Sequence, residues 1–247
     1  IKEYIVLYYE LTCKAYLKKE IELMESFDLL SKFINHSMCQ NPDYEELHKE
    51  KGFKNYSFGN FYPTEKEKIY KEGNLYSFVI RSLDEKFIND MQTLLRENIN
   101  HSHIQVLQTI VKVQKQFFIT ELYTLTPTIV SITNEKGKNI YWTPRDGDVG
   151  TLYKQLQENL EKKYQDFYSE KIETMQNFIQ LLEIKNHKPQ SIYFTKDKKK
   201  IRVFGNKFKI VPNEDEISQK LAFVAMACGL GEKQSYGGGF LLGRGMR

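Results

Sequence analysis

The apolar residues of this chain change their period twice, in the same order each time, and that succession limits the fold more than any other feature. Residues 3–12 alternate, with Ile5, Leu7, Tyr9 and Leu11 on one face, the period of a half-buried strand. From Ile21 the spacing lengthens: Leu23, Phe27, Leu30 and Ile34 recur every three to four residues and predict an amphipathic helix over 21–39. Asn41-Pro42 reads as N-cap and first helical residue, and Gly52 as a stop, which predicts a short helix at 42–51. Residues 55–62 and 74–83 are strand-like, Asp84 can cap a helix over 85–98, and alternation returns from His103 to Phe118. The order is βαββαβ.

The second half repeats it. Pro127–Thr133 is strand-like, and Asp148 opens a helix to about Tyr168 with Leu152, Leu156, Leu160, Tyr164 and Phe167 on one face. Strands follow near 175–186 and 190–211. Asn213, with Glu216 three residues on, forms a capping-box pattern for a helix through Cys228, and a glycine-rich turn leads to a last strand at 238–242. Two such units predict an α+β protein of two tandem ferredoxin-like, RRM-like domains, at 1–123 and 124–247. No internal sequence repeat accompanies the duplication, which rests on element order. The fold serves many functions, so function has to be read from a site.

Composition narrows the classes. A chain of 247 residues can bury a core without covalent staples. No apolar run approaches the ~18 residues of a membrane-spanning helix. Ile1-Lys2-Glu3 begins no secretory signal, and Cys13, Cys39 and Cys228 are widely spaced and odd in number, so reduced thiols in a cytoplasm are expected. No Cys/His spacing makes a zinc site and no acidic cluster suits two metals, so neither metal nor cofactor is expected. His101 and His103 share a face without a third ligand and read as an exposed pair. Charge is lopsided: residues 1–123 carry 16 Lys/Arg against 18 Asp/Glu, and residues 124–247 carry 20 against 14. The excess gathers in Lys196–Lys209, seven basic residues with one acid. Such a block suits either a polyanion or a solvated hairpin turn.

The most specific stretch is Cys228–Leu242, CGLGEKQSYGGGFLL, with five glycines in eleven residues directly after a predicted helix. Glycine allows positive φ and close backbone approach, and free amides in such a turn can form an anion nest beside Lys233. The GxxxxGK[ST] order of a P-loop is absent. A helix stop with a bulged strand is the structural alternative.

The string GLGEKQSYGGGF closely resembles the C-terminal glycine-rich motif of RAMP proteins, and among them the CRISPR-associated endoribonucleases of the sixth Cas family. Gly229, Gly231, Glu232, Lys233, Ser235, Gly237 and Gly239 match its G-h-G-E-K-x-S-h-G-h-G pattern, while Gly238 stands where an apolar or aromatic residue is usual. LTPTIVSI at 125–132 resembles the family's L-[TS]-P-h-x-V segment, and Leu47-His48 with Gly52 and Lys54 resembles its L-H-x₃-G-x-K segment. The resemblance runs through nearly the whole chain in order and is weakest between about 84 and 120.

The resemblance implies metal-independent cleavage of CRISPR repeat RNA, in which the 2′-hydroxyl attacks the scissile phosphate and the 5′-oxygen leaves. It makes His48 a general acid or base, which an imidazole near its ordinary pKa of about 6.5 suits. It makes Lys54 the cation at the phosphate. Many family members carry a third catalytic group, a tyrosine, fifteen residues before this histidine. Here that residue is Phe33, and His36, one turn further, is the candidate substitute. Gly229, Gly231, Lys233, Ser235, Gly237 and Gly239, with Lys198, Lys199, Lys200 and Arg202 of a predicted hairpin, are the candidate RNA contacts. The expected partners are precursor and mature CRISPR RNA, with a CRISPR effector complex as a further one; monomer and homodimer both stay open. The rival reading, favoured by Phe33, is a non-catalytic RAMP subunit that holds CRISPR RNA in an effector complex.

Overall fold

In the computed structural model, which describes residues 6–44 and 52–246, the first alternation becomes strand β1 (Leu7–Leu17), with Leu11, Cys13, Ala15 and Leu17 turned inward. A two-residue strand, β2 (Ile21–Glu22), precedes helix α1 (Leu23–Met38). The helix starts two residues later than its apolar spacing predicts, because Ile21 pairs with Tyr70. Residues 42–44 open the expected short helix, and the Asn41 side-chain oxygen accepts from the Asp43 amide at 3.0 Å. The rest of the span predicted as that helix, 45–51, with His48, lies outside the described residues.

Strands β3 (Tyr56–Phe58), β4 (Ile69–Tyr70) and β5 (Leu75–Ser82) follow, then helix α2 (Glu85–Glu97) and the long strand β6 (Ile104–Lys115). Asp84 caps α2 by accepting from the Phe87 amide at 3.1 Å. The sheet order is β3-β5-β1-β6, all antiparallel. Leu30, Phe33 and Ile34 of α1 and Ile88, Met91 and Leu95 of α2 share one buried core with its inner face.

The second sheet begins with β7 (Phe118–Thr124), not with Pro127–Thr133. Of the latter only β8 (Ser131–Thr133) is a strand, in a separate hairpin with β9 (Asn139–Tyr141), while Thr128 and Ile129 make isolated bridges to Asn206 and Glu232. The backbone groups of Pro127 and Ile129 are taken up elsewhere, by the C-terminal glycine loop: their carbonyls accept from Gly239 and Glu232. Helix α3 (Val149–Tyr168) is capped by Asp148 and buries Leu152, Leu156, Leu160 and Tyr164, as its spacing predicts. Strands β10 (Ile179–Ile184), β11 (Gln190–Lys196), β12 (Lys199–Gly205) and β13 (Phe208–Pro212) lead to helix α4 (Glu216–Cys228). Asp215 caps α4, not Asn213. Its carboxylate reaches both the amide and the hydroxyl of Ser218, at 2.9 and 2.7 Å, while the Asn213 side chain donates to the Asn177 carbonyl. The chain closes with β14 (Leu241–Met246).

The second order, β10-β13-β7-β14, is the same permutation as the first. In each, the first and third main strands are central, and the second and fourth are outside. The architecture is therefore α+β with tandem ferredoxin-like units. Buried polar contacts join them. Arg81 of β5 pairs with Glu10 at 2.8 Å and donates to the Leu241 carbonyl at 2.6 Å, and the Ser57 hydroxyl donates to the Ala227 carbonyl at 2.8 Å. Among the described residues no helix is long and apolar enough to cross a membrane.

Candidate functional site

The glycine loop is built from the inside. Gly229, Gly231, Gly237 and Gly239 all hold φ between 67° and 86°. At Gly239 a Cβ would lie 1.9 Å from the Leu230 carbonyl oxygen, and at Gly237 2.3 Å from the Phe27 ring. Glycine is required at both by strain and by space. The amides of Leu230, Glu232, Gly238 and Gly239 donate to carbonyls of Gly239, Ile129, Lys233 and Pro127. These four amides are spent on the protein, so the expected nest does not form from them. The Glu232 carboxylate accepts from the Ser131 amide at 2.8 Å and hydroxyl at 2.9 Å. The loop and residues 125–132 are thus one knot, which explains why both sequence motifs occur together.

What the loop turns outward lines a cleft. Lys233 and Ser235 share an open cavity of about 250 Å³ with Lys54, Asn55 and Tyr56 of the first unit and with Asn159 and Lys163 of α3. Lys54 is half-buried and Lys233 exposed. The side-chain oxygens of Asn55 and Asn159 are buried and have no hydrogen-bond partner among the described residues. The Ser31 hydroxyl of α1 donates to the Ser235 carbonyl at 2.7 Å, holding this wall against the first unit. Burial raises the pKa of Tyr56, so its hydroxyl stays protonated. Cations and uncommitted acceptors around one cleft suit a polyanion that also carries hydroxyl or amino donors. His48 stands four residues before Gly52 in sequence, outside the described residues.

The other candidates lie elsewhere. His36 is exposed on the last turn of α1 and is not among the residues lining this cleft. Phe33 is fully buried, with its ring edge-on to Phe78 and to His101 at 5.0 Å from the latter. His101 and His103 are not an exposed pair but are each half-buried. Burial, with smaller repulsions from His103, His36 and Lys18, lowers the pKa of His101 to about 4, and its Nδ1 accepts from the Ile104 amide at 3.2 Å. Both line a second cleft, of about 370 Å³, between α1 and the β11–β12 hairpin. That hairpin turns through Asp197 and Lys198, both left-handed, and leaves Lys198, Lys199, Lys200 and Arg202 exposed. Lys200 and Arg202 lie over the Tyr193 ring at 5.5 and 5.8 Å. The hairpin docks on α1 through Thr195, whose amide and hydroxyl donate to Asp28 at 3.0 and 3.2 Å.

The structure therefore brings Lys54, Lys233 and Ser235 onto one cleft and sets the basic hairpin beside the other. Sequence reasoning missed Asn55, Tyr56, Asn159 and Lys163. Of these only Lys163 carried a signal, a lysine on the apolar stripe of α3. Among the described residues no group of three or more His, Cys, Asp or Glu is placed to hold a metal ion.

Residues 111–242, more than half of the chain, match the family model for CRISPR associated protein Cas6, C-terminal, and the chain belongs to that family. It is 26% identical over 230 residues to a Methanocaldococcus jannaschii protein named CRISPR-associated endoribonuclease Cas6 2, covering 87% of this chain and 93% of that one. A solved structure described as CRISPR associated protein Cas6 superposes with a TM-score of 0.70 at 23% identity, over 96% of this chain and 99% of its own. Another, described as a RAMP protein binding different RNA substrates, has a TM-score of 0.68 at 17% identity, over 96% and 99%. These two likenesses bear on the fold.

Proposed function

We propose that the chain is an endoribonuclease that cuts CRISPR repeat RNA in precursor transcripts without a metal ion or cofactor. The 2′-oxygen forms a bond to phosphorus and its proton passes to a base; the bond to the 5′-oxygen breaks and that oxygen takes a proton from an acid. The products are a 2′,3′-cyclic phosphate, or a 3′-phosphate after its hydrolysis, and a 5′-hydroxyl. His48 is the acid or the base and Lys54 neutralises charge on the phosphate; His36, which lies outside the cleft, is a third proton-transferring group for an RNA that continues onto the last turn of α1. Gly229, Gly231, Lys233, Ser235, Gly237 and Gly239 form and present one RNA-binding wall; Lys198, Lys199, Lys200 and Arg202 form another. The catalytic groups then belong to the first unit and the RNA-holding elements to the second, whose sheet begins with β7 at Phe118 and not at residue 124.

The observation that carries this reading is the shared cleft. Lys54 comes from one unit, Lys233 and Ser235 from the other, and the segment bearing His48 runs directly into the cleft's Gly52–Tyr56 edge in sequence. The activity named for the Methanocaldococcus relative supports it. The test is single-turnover cleavage of repeat RNA in EDTA, beside RNA with a 2′-deoxy group upstream of the cut. Native RNA should be cut and deoxy RNA should not. His48→Ala should lose roughly 10²–10⁴-fold and Lys54→Ala roughly 10²–10³-fold. Full cleavage by His48→Ala would remove that residue from the mechanism, an unchanged His36→Ala rate would remove His36, and loss of cleavage in EDTA would end the metal-independent reading.

A second reading has its own observation. Phe33 has no proton to give and its ring is committed to the core, which favours a RAMP subunit that grips CRISPR RNA without cutting it. Tight binding with no cleavage would establish it.

A further inference from the structure

Lys163 of α3 stands three residues after Leu160 and one before Tyr164, where the helix's apolar stripe calls for a hydrophobic side chain. It is 1% exposed. Its Nζ donates to the Gly229 carbonyl at 2.7 Å and to the Gly231 carbonyl at 3.0 Å. Those carbonyls flank Leu230, at the point where the chain leaves α4 and turns through two left-handed glycines. A buried amine is expensive, and methionine would fill the same space without that cost. The amine does what methionine cannot: it holds two carbonyls of one turn from a different element.

We infer that Lys163 is the positioning residue of the cleft, tying the Gly229 and Gly231 carbonyls to α3 and so setting the wall that carries Lys233 and Ser235 against the wall that carries Lys54. The inference rests on the cleft being the RNA site proposed above.

The linkage has a direction. Burial lowers the pKa of Lys163 to about 7, against a weaker opposing attraction from Glu232. Cys228, on α4, is itself pushed up to about 12 by burial and is a neutral thiol. Glu232 faces the lysine from the loop; Lys54 and Lys233 line the same cleft; Asn159, one turn earlier on α3, is uncharged. A neutral amine still has two N–H donors, one for each carbonyl. With the loop open, Lys163 meets water and titrates near its ordinary ~10.4. The closed loop therefore binds a proton more weakly than the open one. Raising the pH from about 7 towards 10 favours closure, and below about 7 both states hold the proton, so the dependence levels off.

Amide hydrogen exchange of the full chain tests this without requiring turnover. Rates over residues 229–239, corrected for intrinsic pH dependence, should show protection rising between pH 7 and 9 in the native protein. Lys163→Met should raise exchange in that segment about tenfold, remove its pH dependence and leave the first sheet unchanged. In the cleavage assay the same variant should lose about tenfold in single-turnover rate at saturating RNA, with its Kd held within about threefold. Unchanged loop exchange in the variant, or no pH-linked gain in protection in the native protein, overturns the inference. The native pH series stands even where the variant folds poorly. Exchange that behaves as expected in a protein that cuts no RNA separates failure of the proposed function from failure of the positioning role.

Discussion

The glycine loop and the basic hairpin both look like RNA-binding elements in sequence, yet the fold uses them in opposite ways. The loop's glycines are inward features. Their Cβ positions are filled by Leu230, by Phe27 and by neighbouring carbonyls, and at least four loop amides are spent within the protein. The hairpin's cations are outward features. Its buried residues, Ile192, Phe194 and Val203, make a small separate core, and Lys198, Lys199, Lys200 and Arg202 project away from it. One motif is therefore constrained by backbone geometry whether or not RNA is present, and the other carries charge whose contacts among the described residues are confined to the hairpin's own surface, at Ser191 and Tyr193. Damage to the two should register in different measurements.

The largest effect is expected at Gly239. An alanine there keeps φ at +67° and drives a methyl group onto the Leu230 carbonyl at 1.9 Å. Left-handed strain and overpacking together cost roughly 2–4 kcal/mol, which for a chain of this size lowers Tm by roughly 10 °C. RNA binding should fall with the folded fraction and recover on cooling. A Gly239→Ala protein with native Tm and weakened binding would show that this glycine meets RNA directly, and would erase the contrast.

The hairpin should behave in reverse. Reversing charge at Lys198, Lys199, Lys200 and Arg202 leaves the buried face untouched, so Tm should move by no more than about 1 °C. RNA affinity should drop at physiological salt, and the slope of log K against log salt should flatten by about 3, at roughly 0.7 for each lost single-strand phosphate contact. Binding isotherms at four or more salt concentrations measure this. An unchanged slope returns the four residues to ordinary solvated surface.

The same division explains what the sequence made legible. Caps at Asp84 and Asp148 and the stripe of α3 depend on residues three or four apart, and each stands where its spacing puts it. Pro127–Thr133 has strand composition but does not open the second sheet, because Pro127 and Ile129 give their carbonyls to a loop more than 100 residues later and Ser131–Thr133 pair with β9. Phe33 and His36 are one turn apart, yet the edge of the core falls between them, leaving one fully buried and the other exposed. For the site, chemistry-bearing residues could be named because the motif marks them. Asn55 and Asn159 could not, since each gains meaning only from the element packed against it, and Lys163 was marked only by standing on the apolar stripe of α3.

The contrast is incomplete at one contact, and that contact yields the smallest effect. Phe194 of the hairpin stacks on Tyr236 of the glycine loop with ring centroids 3.8 Å apart and planes 18° from parallel. Phe194 is 4% exposed, and both rings pack into the small core around Ile129. If hairpin and loop respond independently to RNA, replacing either ring changes stability alone. If they are coupled, Phe194→Leu, Tyr236→Leu and the double variant should show an interaction energy of roughly 0.5–1.5 kcal/mol, the range for paired aromatic rings. Denaturant melts measure it in the free protein, and RNA titrations measure it in the complex. A coupling of the same size in both makes the stack a fixed brace. A coupling that grows on RNA binding means that charge gathered at the hairpin is felt at the loop, and so at the cleft wall that carries Lys233.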